Sequence, residues 1–169
     1  MTSIETKSIE TPSIVVDRMR FEEAEEIASL FVEVLTSLPY YNEQAKASEL
    51  VKYKPSLLRD SAVEDPDSVL VARDADQIVG FCFNRNDDGV IWLSWFGVHP
   101  DYRRMGIGSA LLRKLESTVR DGRSHKIWCD CRTENEVSKY TLAKEGYTQL
   151  FTLLNHWYGQ DFIIWEKLV

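Results

Sequence analysis

The stretch Phe96-Gly97-Val98-His99-Pro100-Asp101-Tyr102-Arg103-Arg104-Met105-Gly106-Ile107-Gly108-Ser109 carries the residue types that hold an anion. Two arginines and two glycines lie between an apolar, strand-like run and the start of an amphipathic helix. The first amides of a helix have no intrahelical partner, and the helix dipole adds partial positive charge there. Glycines at 106 and 108 remove side chains that would keep a phosphate from those amides, and Arg103 and Arg104 add charge at the rim. The stretch lacks the Lys-Ser/Thr of a Walker loop and the third glycine of a dinucleotide fingerprint. The charge distribution agrees with an anion site. Residues 99–126 hold seven basic and three acidic groups, within a chain of net charge −7. The alternative reading of that segment is a basic, solvated helix face.

Elements of defined type must position this loop. Ile14 to Arg18 reads as a strand, and Phe21, Ala24, Ile27, Leu30, Phe31 and Val34 recur with helical spacing. Pro39-Tyr40-Tyr41 breaks that helix, and a second one is predicted from Asn42 toward Leu58, bent or ended by Pro55. Three strands follow, Ser68–Arg73, Ile78–Phe83 and Val90–Val98, the last two joined by the turn Asn86-Asp87-Asp88-Gly89. Ile107, Leu111, Leu115 and Val119 mark one face of a helix. Lys126–Cys131 is a strand, Asn135–Glu145 a helix stopped by Gly146, and Tyr147–Leu154 and Phe162–Leu168 are closing strands. This order describes a single layered α/β domain over residues 14–169, behind a polar, repetitive segment 1–13 read as a disordered tail.

Composition narrows the function. The chain has 169 residues, 44% hydrophobic and 28% charged, as in a soluble globular domain. No apolar run reaches the ~18 residues of a membrane span, and the N-terminus lacks the pattern of a secretory signal. Three cysteines cannot all pair, and Cys129 and Cys131, two apart on a strand, are badly placed to bridge. A cytoplasmic location is expected. The negative net charge argues against nucleic-acid binding. Cys129, Cys131 and His125 lack the second cluster that a zinc site needs, so no metal is expected.

Arg103-x-x-Gly106-x-Gly108, with its lead-in Val98-His99-Pro100-Asp101-Tyr102, resembles the acetyl-CoA pyrophosphate loop of the GCN5-related N-acetyltransferase (GNAT) family. Asn135 followed by Gly146-Tyr147 is similar to a second segment of that family, and the element order matches from about residue 13 onward. The resemblance implies an α/β fold with a mixed, mostly antiparallel sheet of about six to seven strands flanked by about four helices. It implies direct acetyl transfer from acetyl-CoA, a co-substrate, to a primary amine of a small molecule or a protein. The alternative is an acyl-CoA-binding sensor or scaffold with little turnover.

On this resemblance the loop Arg103, Arg104, Met105, Gly106, Ile107, Gly108 and Ser109 holds the diphosphate. Phe96, Gly97 and Val98 pair with the pantetheine arm, and Asn135 contacts that arm or its neighbouring backbone. The thioester then lies between strand 90–98 and strand 126–131. In Cys129-Asp130-Cys131-Arg132-x-x-Asn135, Asp130 stands where family members that acetylate protein N-termini carry a glutamate regarded as the base, and its other reading is a solvated or ion-paired carboxylate. Leu142 replaces the tyrosine that protonates the leaving thiolate in many members, and Tyr140, about 200° further round the helix, is expected to face elsewhere. Tyr40, Tyr41 and Trp95 are read as acceptor-pocket residues, with Trp92, Trp157 and Tyr158 as further aromatic candidates for lining or core. Residues 1–66 carry thirteen acidic and seven basic groups. That excess either attracts a cationic acceptor or keeps helix surfaces soluble. A monomer or homodimer is expected.

Overall fold

A computed structural model describes residues 13–119 and 122–169. The predicted tail, save Ser13, lies outside the described residues. The chain runs β1 (Ile14–Arg18), α1 (Ala24–Thr36), α2 (Glu43–Lys52), α3 (Pro55–Glu64), β2 (Val69–Asp74), β3 (Gln77–Asp87) and β4 (Val90–Val98), then α4 (Ile107–Thr118), β5 (Lys126–Arg132), α5 (Glu136–Lys144), β6 (Thr148–Leu153) and β7 (Phe162–Leu168). Seven strands form one sheet in the order β1-β2-β3-β4-β5-β7-β6. Every pairing is antiparallel except β4 with β5.

Among the described residues there are five α-helices. The predicted second helix is two: Pro55 occupies the first turn of α3, where its missing N–H and fixed φ are no handicap, so it starts a helix instead of ending one. The strand β3 also runs past Phe83 to Asp87, because Asn86 and Asp87 pair with Ile91 and Val90. The turn itself is only Asp88-Gly89, both at positive φ, the geometry that matches the twist of a two-residue hairpin.

Strand alternation divides the interior. Val69 and Val71 face one side of the sheet with Phe81 and Phe83, against Ile27, Phe31 and Leu35 of α1 and Leu58 of α3. Leu70 and Ala72 face the other side with Val79 and Cys82, under Ile107, Leu111 and Leu115 of α4 and Leu142 of α5. All three cysteines are buried as free thiols.

One buried ion pair ties α1 to the sheet. Arg73 donates to both carboxylate oxygens of Glu23, Nε to Oε1 at 2.7 Å and Nη2 to Oε2 at 2.6 Å, and the Arg20 amide adds a third bond. Both side chains are nearly inaccessible. Glu23→Gln leaves the guanidinium buried without its counter-charge and is expected to lower unfolding free energy by about 3–5 kcal/mol. A denaturant midpoint equal to the parent's refutes that assignment.

The feature that matters for function lies at the middle of the sheet. The register between β3 and β4 slips between Phe83 and Asn84, which pair with Trp95 and Leu93, leaving Ser94 as an extra residue on β4. A bulge bends its strand. Beyond it β4 leaves β5, and their parallel pairing ends at Leu93 and Cys129. The halves Ser94–Val98 and Asp130–Arg132 splay apart.

Candidate active site

The splay opens a cleft of about 900 Å³. One end is the start of α4. Gly106 caps that helix at φ 78°, and Arg104 is also left-handed at φ 64°. Helical bonding begins with the Ala110 amide donating to the Gly106 carbonyl, so the N–H groups of Ile107, Gly108 and Ser109 precede the first helical bond. A Cβ built on Gly106 would meet no atom within 4 Å. The ground over these amides is open.

The floor is β4 from Leu93 to Val98, and the opposite side is Cys129 to Cys131 with Asn135 and the outer face of α5. Gly97 is required where it stands. A Cβ there would sit 2.4 Å from the Phe81 ring. Gly97→Ala forces that ring aside and is expected to destabilise the fold by about 1–3 kcal/mol. A melting temperature unchanged from the parent's would show that the core yields freely.

Arg103, Arg104, Gly106, Ile107, Gly108, Ser109, Phe96, Gly97, Val98, Asn135, Tyr40, Tyr41, Trp95 and Asp130 all border the cleft. Met105 does not: it is 53% exposed and lies outside the cleft lining. Asn135 caps α5, its side-chain oxygen accepting from the Ser138 amide at 3.0 Å. Leu142 is fully buried in the core, whereas Tyr140, expected to face elsewhere, borders the cleft. The two residues lie about 200° apart round the helix, and Leu142 is the one turned inward. Trp92 and Trp157 are not on the cleft and pack against each other with Trp128 and Phe162. Tyr147 is buried in the core on the α4 side.

The other end of the cleft is aromatic and carboxylate-bearing. Tyr41 lies 5.3 Å from Trp95 and 5.6 Å from Tyr40, centre to centre. Burial pushes the Tyr40 phenol up to about 12 and the Tyr41 phenol well above its ordinary value, so both keep their protons at neutral pH. Asp130 is also desolvated. Burial, reinforced by the like charge of Glu49 and opposed by Arg132 and Lys52, raises its carboxyl to about 7.

Sequence reasoning missed the residues behind this end. Glu49 accepts from Trp95 Nε1 at 2.9 Å, Lys52 Nζ at 2.8 Å and the Tyr158 hydroxyl at 3.0 Å. A trace was present, since Glu49 follows Ala45 by four residues and shares its buried face of α2. The acids of α1 and its lead-in mostly serve the scaffold: Glu23, Glu25 and Glu26 engage Arg73, Arg59 and the Ile78 amide. Arg132 is buried with its guanidinium 3.4 Å from the Tyr41 ring centre. Nothing in its local sequence announces that stacking.

Residues 27–147 match the model of the acetyltransferase (GNAT) family. The chain belongs to that family. An uncharacterized N-acetyltransferase of Mycobacterium tuberculosis is 29% identical over 107 residues, 60% of this chain and 68% of the relative. Among solved structures, the PaiA N-acetyltransferase of Thermoplasma acidophilum in complex with coenzyme A superposes with a TM-score of 0.79 at 22% identity, over 93% of this chain and 99% of that one. Naa50 of Arabidopsis thaliana, in complex with the bisubstrate analogue CoA-Ac-MVNAL, gives 0.69 at 21% identity, over 92% and 98%. The mixed seven-stranded sheet is thus the GNAT fold, and this GNAT protein is an acyltransferase by family. Among the described residues no helix is long and apolar enough to cross a membrane.

Proposed function

We propose that this protein transfers the acetyl group of acetyl-CoA directly to a primary amine, within one catalytic domain beginning near residue 14. The observation that carries the reading is one continuous cleft with a helix start suited to an anion at one end and a half-buried, desolvated carboxylate at the other. The amides of Ile107, Gly108 and Ser109, with Arg103 and Arg104 at the rim, suit the diphosphate. The freed edge of β4 from Ser94 to Val98 offers backbone groups to the pantetheine amides, as an added strand would take them.

The thioester supplies an activated acyl carbon. As the amine nitrogen forms the new C–N bond, the C–S bond breaks and the sulfur leaves with its electron pair. Asp130 accepts the proton that the amine must lose. With its carboxyl at about 7, it is substantially ionised at neutral pH yet basic enough to work. A thiol of pKa near ~8.5 holds a proton more firmly than Asp130 does, so the proton ends on the sulfur and the balance closes. Tyr40, Tyr41 and Trp95 suit the ammonium form of the acceptor, which gives its additional proton to solvent before the neutral amine attacks and loses the second to Asp130. The three buried free cysteines fit a reducing, cytoplasmic setting.

The burial of Leu142 where many relatives carry a tyrosine favours a second reading, an acyl-CoA sensor that turns over little. Thiol release from acetyl-CoA across a panel of amines and peptides separates the two. Acceptor-dependent release supports transfer, and tight CoA binding with no release under any acceptor supports the sensor.

A further inference from the structure

The aromatic end of the cleft is braced by a pair of loops bonded to each other. Residues 37–42, between α1 and α2, supply Tyr40 and Tyr41 to its lining, and residues 154–161, between β6 and β7, bond to that loop from outside the lining. They are tied to each other. Gln160 Nε2 donates to the Tyr40 carbonyl at 2.6 Å, and Asn42 Nδ2 donates to the Tyr158 carbonyl at 2.9 Å. The second loop folds back far enough to do this through left-handed backbone at Asn155 and Tyr158, φ 48° and 57°. Its Tyr158 hydroxyl is anchored on Ser48 and Glu49 of α2. Beneath the tie, Arg132 Nε donates to Gln160 Oε1 at 3.1 Å while its guanidinium lies on Tyr41.

A peptide acceptor needs a channel that continues past its reacting amine, at ~3.3 Å for each further residue. Its own buried amides and carbonyls also need partners along that channel. Here the two main-chain carbonyls that face across the gap, those of Tyr40 and Tyr158, already hold donors from the opposite loop. This end offers instead three aromatic side chains, Tyr40, Tyr41 and Trp95, in one lining with the Asp130 carboxylate. That chemistry suits an ammonium on a short apolar body.

We infer that the acceptor is a small primary amine, an alkylamine or arylalkylamine, and that the Gln160–Tyr40 and Asn42–Tyr158 ties are the elements that exclude polypeptides. The inference rests on the acetyl-transfer reading and names its substrate class.

Two isosteric substitutions isolate the ties. Gln160→Glu keeps the oxygen that Arg132 uses and removes the donor to Tyr40. Asn42→Asp keeps the oxygen that caps α2 at the Ala45 amide and removes the donor to Tyr158. Thiol release by the full chain with acetyl-CoA is measured for pentylamine, 2-phenylethylamine, a tetrapeptide with a free N-terminus, and an N-blocked peptide with one lysine. The parent is expected to favour the small amines by about a hundredfold in kcat/KM. In the doubly substituted protein, loss of two hydrogen bonds is expected to narrow that ratio by about tenfold or more. Calorimetric CoA binding equal to the parent's shows that the variant is folded.

A parent that favours either peptide overturns the inference and leaves acetyl transfer standing. So does an unchanged ratio in the folded double variant. CoA binding without thiol release for any acceptor removes the acetyl-transfer reading itself, and the inference with it.

Discussion

Gly106→Asp is expected to abolish coenzyme A binding while the domain stays folded. Gly106 is the residue at φ 78° that caps α4, and the space above it is open, so an added side chain meets no packed atom. What it does meet is the ligand's charge. A carboxylate ~4 Å from one phosphate charge raises the energy by about 4 kcal/mol at an effective dielectric of ~20, roughly a thousandfold in affinity. A side chain in the left-handed region adds about 1–2 kcal/mol of backbone strain, small beside the stability of a domain this size. Titration calorimetry with CoA reads the loss, and circular dichroism reads the fold. Affinity close to the parent's would move the diphosphate away from α4.

Asp130→Asn is expected to lower kcat by about 10²–10⁴-fold, with the affinity for acetyl-CoA retained. The pH profile identifies the cause. Burial raises the Asp130 carboxyl to about 7, so below that pH the base is increasingly protonated and idle. The parent's kcat/KM should rise by about tenfold per pH unit up to about pH 7 and then bend, and the variant should lack that bend. Stability should move the opposite way. Between the ordinary 3.8 and about 7 the native protein holds more proton at this site than the unfolded chain does. Asp130 therefore costs stability progressively as pH rises through that window, and the full cost remains above it. The asparagine variant, neutral throughout, should melt higher than the parent above pH 7, with the gain vanishing near the ordinary carboxylate range. A variant at the parent's rate, or a parent profile flat through pH 7, would return Asp130 to a structural carboxylate.

The two sites differ in how far the sequence reveals them. The loop before α4 is legible because its physics is local. Orphan amides at a helix start, glycines that leave them uncovered and arginines beside them all lie within a few residues, and folding only has to form the helix. Local rules also place the Asp88-Gly89 turn and the apolar face of α4, since turn φ angles and helical period are properties of neighbouring residues.

The carboxylate-bearing end of the cleft obeys no such rule. That β4 leaves β5 depends on the bulge at Ser94, a matter of register between strands rather than of the composition of either. That Asp130 is a plausible base depends on desolvation, and that desolvation comes from packing the sheet delivers. Glu49, Arg132 and Gln160 reach the acceptor end from α2, β5 and the loop before β7, and their partners lie 28 to 120 residues away in the chain. Helical phase put both Tyr140 and Leu142 on α5, but only the neighbours of that helix decided which faces the cleft and which the core. Sequence alone determined the family and the order of elements save the division between α2 and α3, and it marked the loop before α4 as the candidate anion site, because period, turn geometry and helix-end electrostatics are written within a few residues. Tertiary structure alone decided that the Asp130 carboxyl is desolvated and that loops 37–42 and 154–161 are bonded to each other, because burial and loop-to-loop bonding are set by residues far apart in the chain.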